Sequence, residues 1–388
     1  MLKEIYFDNS ATTPLCEESK TAMTAVIENV YGNPSSLHSV GLAAEKIVTD
    51  ARNDILLTLG IRTDMRQLIF CGSGSEANNL ALIGSYTSKK RKNGARVIIS
   101  AGEHSSVEAA AKHLETLGAD IVRLSTKNGE ISFDELEDAL TPETVLISVM
   151  LVNNETGALY PIADIFKTAK ALCPDVICHC DAVQAYSKVK FTPKSLGADL
   201  ITVSAHKIHG PKGVATLYVS PDVLKKRTLY PIIHGGQQEN GLRAGTENVI
   251  GIAGFAAAAK EAFKRAEDSI KTVSEHIITR ITEDPALSEI RINRPREAVA
   301  HIINITLPNI KSETMLHFLS GKGVFVSSGS ACSSHSKSTS RALSAFGVSD
   351  KDADCSIRIS ISRYNTVDEA DALCDALIEG IKSLIRIK

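Results

Sequence analysis

Residues 200–215 read LITVSAHKIHGPKGVA, an apolar run that ends in a turn rich in glycine and proline. Apolar runs of this length are typical of strands that are buried on both faces of a parallel sheet. Lys207 follows the run directly, and burying its ammonium group is costly unless the charge is used or neutralised. A Schiff base with an aldehyde cofactor is one solution, because an imine replaces the free amine. Taken alone, a lysine here is more often a solvent-facing residue at a strand end.

Similar apolar runs recur on both sides of this stretch and alternate with helical patterns. This alternation predicts an α/β fold, with a mostly parallel sheet between layers of helices. The predicted strands are 96–100, 145–152, 176–181, 200–204 and 214–219, and the predicted helices between them are 75–92, 134–140 and 162–172. A further strand-like stretch opens the chain at residues 2–8.

The pattern changes after about Asn248. An alanine-rich helical segment to about Asp284 is followed by the strands and helices of an α+β arrangement, which predicts a smaller second domain. The predicted elements there are strands at 300–307, 324–327 and 356–362, a helix at 313–319 and a closing helix from Val367. We therefore expect an N-terminal segment (1–15) that joins the small domain, a large domain (16–255) and a small α+β domain (256–388).

The composition narrows the class of protein. A chain of 388 residues and 41.6 kDa exceeds the usual size of a single core. A formal net charge of -2 and a pI near 6.6 favour neither nucleic acid nor a membrane as the main partner. We find no apolar run of transmembrane length and no signal-peptide pattern at the start, so we expect a cytoplasmic protein.

The eight cysteines are scattered along the chain, as expected of reduced thiols rather than a disulfide framework. The triplet Cys178-His179-Cys180 suggests a metal site. In a strand, however, the two cysteines share one face while His179 points to the other. No second cysteine pair follows at zinc-ribbon spacing. We therefore predict that the chain binds no metal there.

Three features outside the opening stretch suggest a ligand site. The turn Gly72-Ser73-Gly74-Ser75 precedes a predicted helix, and its small residues let backbone N–H groups approach a phosphate, although it matches no nucleotide-binding motif. Asp181 ends a predicted strand, where a carboxylate can keep a pyridine nitrogen protonated; a helix N-cap is an equally good interpretation. His104 follows another strand and can stack on a ring or move a proton, unless it is a surface histidine.

An ordered set of short motifs covers nearly the whole chain. Through them the sequence closely resembles the cysteine desulfurases of the NifS/IscS type, which have the aminotransferase fold (fold type I) of enzymes dependent on pyridoxal phosphate (PLP). The motifs are YFDNSATTP (6–14), YGNPSSLH (31–38), GSGSEANN (72–79), GEHSS (102–106), VNNETG (152–157), DAVQ (181–184), SAHKIHGPKG (204–213), RAGTEN (243–248), SSGSACSS (327–334) and IRIS (357–360).

The resemblance implies roles for individual positions. Lys207 is implied to hold PLP as a Schiff base and to move the proton at the substrate Cα, with His104 as the ring-stacking acid or base. Asp181 is implied as the partner of the pyridine nitrogen. Arg358 is implied to bind the substrate carboxylate, which suits a planar guanidinium, whereas a surface arginine on a strand face is the alternative. The other implied contacts are Gln184 and Asn154 at the phenolic oxygen (Asn154 also at the substrate), and Gly74, Ser75, Ser204 and His206 at the phosphate.

Thr246 is implied to reach the phosphate of a neighbouring subunit, so the resemblance also implies a homodimer. Sulfur delivery to a protein acceptor is implied by the long serine-rich segment at 327–340, which holds eight serines. Iron–sulfur scaffold proteins and tRNA-thiolation enzymes are the two acceptor classes, and neither nucleic acid nor a membrane is an expected direct partner.

Cys332 lies in this serine-rich segment, where no apolar pattern shields it. Exposure and thiolate character make a cysteine reactive. The resemblance implies that Cys332 attacks the sulfur of L-cysteine and becomes a persulfide, while the substrate becomes L-alanine. For Cys332, the alternative is a surface thiol without a role. For the function of the protein, the alternatives are a selenocysteine lyase, an aminotransferase or kynureninase-like enzyme of the same fold, or an inactive scaffold protein that kept the fold.

Overall fold

The computed structural model describes residues 4–62, 64–88, 94–264, 268–328 and 340–386. Its strands are β1 (Ile5–Tyr6), β2 (Leu68–Cys71), β3 (Arg96–Ser100), β4 (Asp120–Leu124), β5 (Thr144–Ser148), β6 (Ile177–Asp181), β7 (Leu200–Ser204), β8 (Ala215–Val219), β9 (Arg291–Ile292), β10 (Ile302–Thr306), β11 (Val324–Phe325), β12 (Ser327–Ser328) and β13 (Ser356–Ser360). Its helices are α1 (Glu17–Asn29), α2 (Ser39–Thr58), α3 (Gly74–Asn79), α4 (Ser85–Ser88), α5 (Ser105–Thr116), α6 (Phe133–Ala139), α7 (Ile162–Leu172), α8 (Pro193–Leu196), α9 (Pro221–Lys226), α10 (Val249–Lys264), α11 (Asp268–Glu283), α12 (Ser312–Gly321), α13 (Arg341–Phe346), α14 (Asp350–Asp354) and α15 (Val367–Ser383).

A seven-stranded sheet forms the larger layer, in the order β2-β8-β7-β6-β5-β3-β4. Strands β5, β6, β7 and β8 are buried along their whole length, because helices cover both faces of the sheet. Two clusters of apolar side chains lie against the sheet. The predicted fold class is confirmed, including the mostly parallel sheet between helices.

Strand β8 departs from the parallel pattern, since it runs antiparallel to both β7 and β2. A parallel neighbour would need a crossover of a dozen or more residues, usually a helix. Only residues 205–214 separate β7 from β8, and a short 3-10 turn at Ala205–Lys207 occupies part of that length. The short connection therefore returns the chain in the opposite direction and leaves Lys207 at the sheet edge.

The C-terminal third builds a four-stranded antiparallel sheet in the order β12-β13-β10-β9. Its own apolar cluster includes side chains from α11, α12 and α15. Near the start of the chain, β1 pairs in parallel with β11, and Asp8 forms an isolated bridge with Ser360. The N-terminal residues therefore contact the C-terminal third, while the division into domains at 15 and 255 stays a prediction.

Several predicted boundaries were wrong. The predicted strand 145–152 ends at Ser148, because the chain then turns. Of the predicted opening strand at 2–8, the described part (4–8) is a strand only at Ile5–Tyr6. The predicted helix at 75–92 is α3 and α4 joined by a π-helical turn at Leu80–Gly84; residues 89–93 lie outside the described part. The alanine-rich segment gives α10 and α11. No helix in the described ranges is long and apolar enough to cross a membrane.

Candidate active site

The predicted site residues gather at the edge of the large sheet where its parallel strands end. Asp181 ends β6 and Ser204 ends β7, while Lys207 closes the 3-10 turn that follows β7. His104 lies just after β3, directly ahead of α5. Ligands of α/β sheets bind at this edge because the loops of neighbouring strands meet there. The topology of the sheet therefore brings together residues that are far apart in the sequence.

Lys207 is half-buried beneath the N-terminal segment. Its Nζ donates hydrogen bonds to the backbone carbonyls of Ser10 at 2.5 Å and Ala11 at 2.7 Å. These carbonyls replace part of the water that a buried ammonium group loses. A solvent-facing lysine, the alternative that its sequence position alone favoured, is not what the structure contains.

Asp181 is buried, and both of its carboxylate oxygens accept hydrogen bonds. Oδ2 accepts one from the Asn78 side chain at 2.8 Å, and Oδ1 accepts one from the Val183 backbone at 3.0 Å. These two donors satisfy the buried carboxylate oxygens and fix the orientation of the side chain. The residues after Asp181 form turns rather than a helix, so the helix-cap interpretation does not apply.

His104 is connected to Asp181 through a chain of hydrogen bonds. Its Nδ1 lies 2.8 Å from the Ser106 hydroxyl, which accepts a hydrogen bond from Asn78 at 2.9 Å, and Asn78 in turn contacts Asp181. Burial lowers the pKa of His104; the charge of Asp181 opposes this shift, and the charge of Lys207 adds to it. At neutral pH the imidazole is therefore uncharged and able to accept a proton.

Ser204 and His206 lie in surroundings that suit an anion. The Ser204 hydroxyl is buried and has no hydrogen-bond partner among the described residues. Gly74 is a neighbour of Ser204, since a Cβ added at Gly74 would lie 3.8 Å from the Ser204 Cβ, in ordinary van der Waals contact. Burial lowers the pKa of His206 to about 4, and the charges of Lys207 and Lys212 act in the same direction. A phosphate oxygen would satisfy the Ser204 hydroxyl and be attracted by the nearby cations, so these residues fit the phosphate of PLP.

Arg358 is buried in β13 and contacts two other elements. Its Nη2 forms an ion pair with Asp8 at 2.9 Å, and its Nη1 donates to the Asn154 carbonyl at 2.9 Å. Its Nε has no partner in the described part of the chain. The guanidinium therefore keeps donor capacity that a substrate carboxylate fits, and the alternative of a surface arginine is wrong.

The other predicted site residues differ in burial: one is buried, and two are exposed. Gln184 is buried and donates to the Ser10 carbonyl at 3.0 Å, while its Oε1 is without a partner among the described residues. Ser75 is exposed at the start of α3, and Thr246 is exposed ahead of α10. Cys332 lies outside the described residues.

Sequence reasoning missed some residues that build the site. Asn78, which links Asp181 to Ser106, lies four residues after Gly74, and that helical spacing within the GSGSEANN motif was the available signal. Asp8, the partner of Arg358, lies within the first motif. The carbonyls of Ser10 and Ala11 could not be found from residue types, because every residue has a carbonyl.

Glu103, directly before His104, was not singled out either. It is buried; its Oε1 accepts from the Ser100 hydroxyl at 2.5 Å and from the Met150 backbone at 2.7 Å. Its Oε2 has no partner among the described residues. Burial raises the pKa of Glu103 to about 8, an effect that the charge of Asp181 increases and the two hydrogen bonds reduce. At neutral pH this side chain is therefore mostly a neutral acid beside the charged Asp181.

The Cys178-His179-Cys180 triplet is part of the core of β6. Its histidine uses both ring nitrogens, with Nδ1 at 2.7 Å from the Ser148 hydroxyl and Nε2 at 3.1 Å from the Thr202 hydroxyl. Burial lowers the pKa of His179 to about 4. Among the described residues, no cluster of three or more histidine, cysteine or acidic side chains could hold a metal ion.

A profile of the family described as Aminotransferase class-V matches residues 5–373, and the chain belongs to that family. Proteins of this family use PLP, which the residues around Lys207 fit. Within the class, the chain belongs with the cysteine desulfurases of the NifS/IscS type.

This second assignment rests on full-length similarity. The chain is 38% identical over 387 residues to "Cysteine desulfurase IscS" of Dictyoglomus turgidum, covering 99% of this chain and 96% of that protein. The solved structure of a "NifS-like protein" superposes with a TM-score of 0.89 at 31% identity, covering 98% of this chain and 100% of that one. The structure titled "SspA in complex with cysteine" has a TM-score of 0.80 at 30% identity, covering 94% of this chain and all of that one.

Proposed function

We propose that the protein is a PLP-dependent cysteine desulfurase that converts L-cysteine to L-alanine and takes the sulfur onto Cys332 as a persulfide. The observation that carries the proposal is the assembly of Lys207, His104 and Asp181 at one sheet edge, with Arg358 as a carboxylate site. The similarity to cysteine desulfurases over the whole chain supports the substrate.

The cofactor would be held by residues from several elements. PLP, when bound, supplies an electron sink that makes the substrate Cα–H acidic. Asp181 would keep the pyridine nitrogen protonated, and His104 would stack on the ring. Lys207 would bind the cofactor covalently through its amine. The remaining contacts would come from Gln184 and Asn154 at the phenolic oxygen, from Gly74, Ser75, Ser204 and His206 at the phosphate, and from Thr246 of a second subunit.

The protein side chains then bind the substrate and move its protons. Arg358 pairs with the substrate carboxylate and thereby fixes the orientation of Cα. The Lys207 amine removes the proton from Cα, and the carbonyls of Ser10 and Ala11 orient this amine while it is not bound to the cofactor. His104 is uncharged at neutral pH and can therefore accept a proton from the substrate or return one to it.

Sulfur transfer needs one further nucleophile, which we assign to Cys332. Its thiolate forms a bond to the substrate sulfur while the substrate Cβ–S bond breaks. The electron pair of that bond stays with the three-carbon fragment, which is protonated and leaves as alanine. One L-cysteine and one thiol therefore give one alanine and one persulfide, without an external oxidant or reductant.

A homodimer fits the exposed surface of the chain. Helices α1, α2 and α10 pack together, and large apolar side chains of these helices and of the connection between α1 and α2 are exposed. Large exposed apolar side chains that form a patch are typical of an interface with another protein. A second copy covering this face would also bring Thr246 to the neighbouring site. The exposed residues are Ile27, Tyr31, Leu37, Leu42 and Ile250.

The main test follows the products of L-cysteine. The purified protein should form alanine, and mass spectrometry should locate an added sulfur on Cys332. Lys207→Ala should lose the visible absorbance of the cofactor, and Cys332→Ala should keep it but form no persulfide. Lys194→Ala, on the exposed helix α8, is the control and should behave as wild type. Alanine formation by Cys332→Ala at the wild-type rate would exclude the persulfide mechanism.

The acceptor and the location in the cell form the second part of the proposal. We place the protein in the cytoplasm, where it delivers sulfur to a protein of iron–sulfur cluster assembly or of tRNA thiolation. Enzyme loaded with ³⁵S-labelled cysteine should transfer label to one of these two acceptor classes, and transfer to neither would refute this assignment.

A further inference from the structure

The chain segment that follows Cys332 is attached to the turn beside Arg358. Ser340 comes eight residues after Cys332 in the sequence. Its hydroxyl donates a hydrogen bond of 2.5 Å to Oε2 of Glu155, and both side chains are buried, each about 7% exposed. The two residues are 185 positions apart, so this contact is a tertiary one.

Arg341, which follows Ser340, makes a second contact, with helix α5. Arg341, the first residue of α13, forms an ion pair of 2.8 Å with the buried Glu108 of α5, the helix that begins after His104. Ser340 also accepts a hydrogen bond from the Leu343 backbone at 3.2 Å, which caps α13. Two consecutive residues therefore fix the start of α13 on two different elements of the site.

The turn that carries Glu155 is itself fixed relative to the proposed catalytic residues. The Asn153 side chain accepts the backbone N–H of Glu155 at 3.0 Å and donates to the Gly102 carbonyl at 3.0 Å, two residues before His104. The neighbouring carbonyl of Asn154 accepts from Arg358. The position of Glu155 is therefore set against both sides of the substrate site.

The residues that precede Cys332 also lie beside Arg358. Ser327 in β12 is the cross-strand partner of Arg358 in β13. Both described ends of this segment, Ser328 and Ser340, are consequently held next to the residue that we assign to the substrate carboxylate. Cys332 lies between these two positions in the sequence. Releasing one end of a chain segment lowers the local concentration of its groups near that end.

We propose that Glu155 is a positioning residue for sulfur transfer: through Ser340 it fixes the end of the Cys332 segment against the Asn154–Arg358 contact. The inference rests on the proposed function, because it gives Glu155 a part only in the step that uses Cys332. A buried carboxyl group is costly to maintain. Burial raises the pKa of Glu155 to about 7, against the Ser340 hydrogen bond and the charge of Arg358.

The experiment compares one reaction that needs Cys332 with one that does not. The first is persulfide formation on Cys332 in a single turnover with L-cysteine. The second is exchange of the Cα hydrogen of L-alanine with solvent deuterium, which uses Lys207, Arg358 and the cofactor but does not need Cys332. Glu155→Ala and Ser340→Ala should slow the first reaction about tenfold, the effect of losing one buried hydrogen bond to a carboxylate, and leave the second unchanged.

Three further variants separate positioning from general stability. Glu155→Gln should retain most of the rate, because its amide oxygen still accepts the Ser340 hydrogen bond. The double variant Glu155→Ala/Ser340→Ala should be no slower than either single variant, as expected for one shared contact. Ser349→Ala is the matched control and should react as wild type, since Ser349 caps α14 as Ser340 caps α13 but pairs with Asp352.

Amide hydrogen exchange without cysteine supplies a readout independent of turnover. The amides of residues 341–346 should exchange faster in Glu155→Ala and Ser340→Ala than in wild type and Ser349→Ala. The inference would be overturned if amide exchange at residues 341–346 were unchanged in Glu155→Ala and Ser340→Ala, or if these variants formed the persulfide at the wild-type rate. An equal loss of persulfide formation and of Cα hydrogen exchange would overturn it as well. A wild-type protein that exchanges the Cα hydrogen but forms no persulfide would instead refute the desulfurase function, and the inference with it.

Discussion

Replacing Glu103 by glutamine is expected to change how the free energy of unfolding depends on pH. The folded protein holds this buried carboxyl at a pKa of about 8, against an ordinary value of 4.5. Between these values the folded state keeps a proton that the unfolded state has released. The free energy of unfolding must therefore fall as the pH rises from about 4.5 and level off above about 8.

The size of the effect follows from these two values. Linkage gives a loss of about 3 to 4 kcal/mol between pH 5 and pH 8 for this one group. Glutamine does not ionise, so Glu103→Gln lacks this component. The amide places two donor hydrogens at the position of Oε2, which has no partner among the described residues, and this cost does not change with pH. The test is therefore the slope of the difference between the two proteins, and a constant offset does not affect it.

Urea unfolding followed by far-UV circular dichroism at pH 5, 6, 7 and 8 measures this slope, and the chain contains no tryptophan to serve as a fluorescent probe. Taking wild type minus variant removes the contribution of every other titrating group. Glu137→Gln, on the exposed side of α6, is the control and should follow the wild-type curve. Parallel curves for wild type and Glu103→Gln would mean that Glu103 is ionised in the folded protein, contrary to the reasoning above.

Three other substitutions test the proposed site. Arg358→Lys should raise the KM for cysteine about tenfold with a smaller effect on kcat, because lysine cannot make the bidentate contact; steady-state kinetics measures both, and an unchanged KM would contradict the assignment. Asp181→Asn should lower kcat about 100-fold or more while cofactor remains bound, seen as retained visible absorbance with lost turnover. Leu37→Asp places a charge on the exposed apolar face and should shift sedimentation from a dimer to a monomer; a dimer that persists would place the interface elsewhere.

Sequence patterns predicted the large sheet because its inner strands are apolar along their whole length. Strand β4 was missed because residues 120–124 read DIVRL, with charged side chains at a partly exposed sheet edge. The antiparallel direction of β8 could not be predicted from its apolar pattern, because that pattern is the same in either direction and the direction depends on the length of the connection. The strand predicted at 145–152 was too long because the apolar run continues into the turn after Ser148.

The gathering of His104, Asp181 and Lys207 could be predicted because each follows or ends a strand of one parallel sheet. The contacts that hold them could not. Lys207 is held by backbone carbonyls, which carry no residue-specific signal, and the contact between Glu155 and Ser340 joins residues that no local pattern relates. Pairs of this kind depend on how distant elements pack.

The contacts of the N-terminal segment have a consequence for synthesis of the chain. Asp8 pairs with Arg358, and Asn9 donates to the Ser360 carbonyl at 2.9 Å, so partners some 350 positions apart must meet. Contacts of such long sequence separation form late, and these require the last third of the chain to have left the ribosome. The carbonyls of Ser10 and Ala11, which orient Lys207, follow directly in the same segment. A nascent chain therefore remains without a completed site until the residues of β13 have been synthesised.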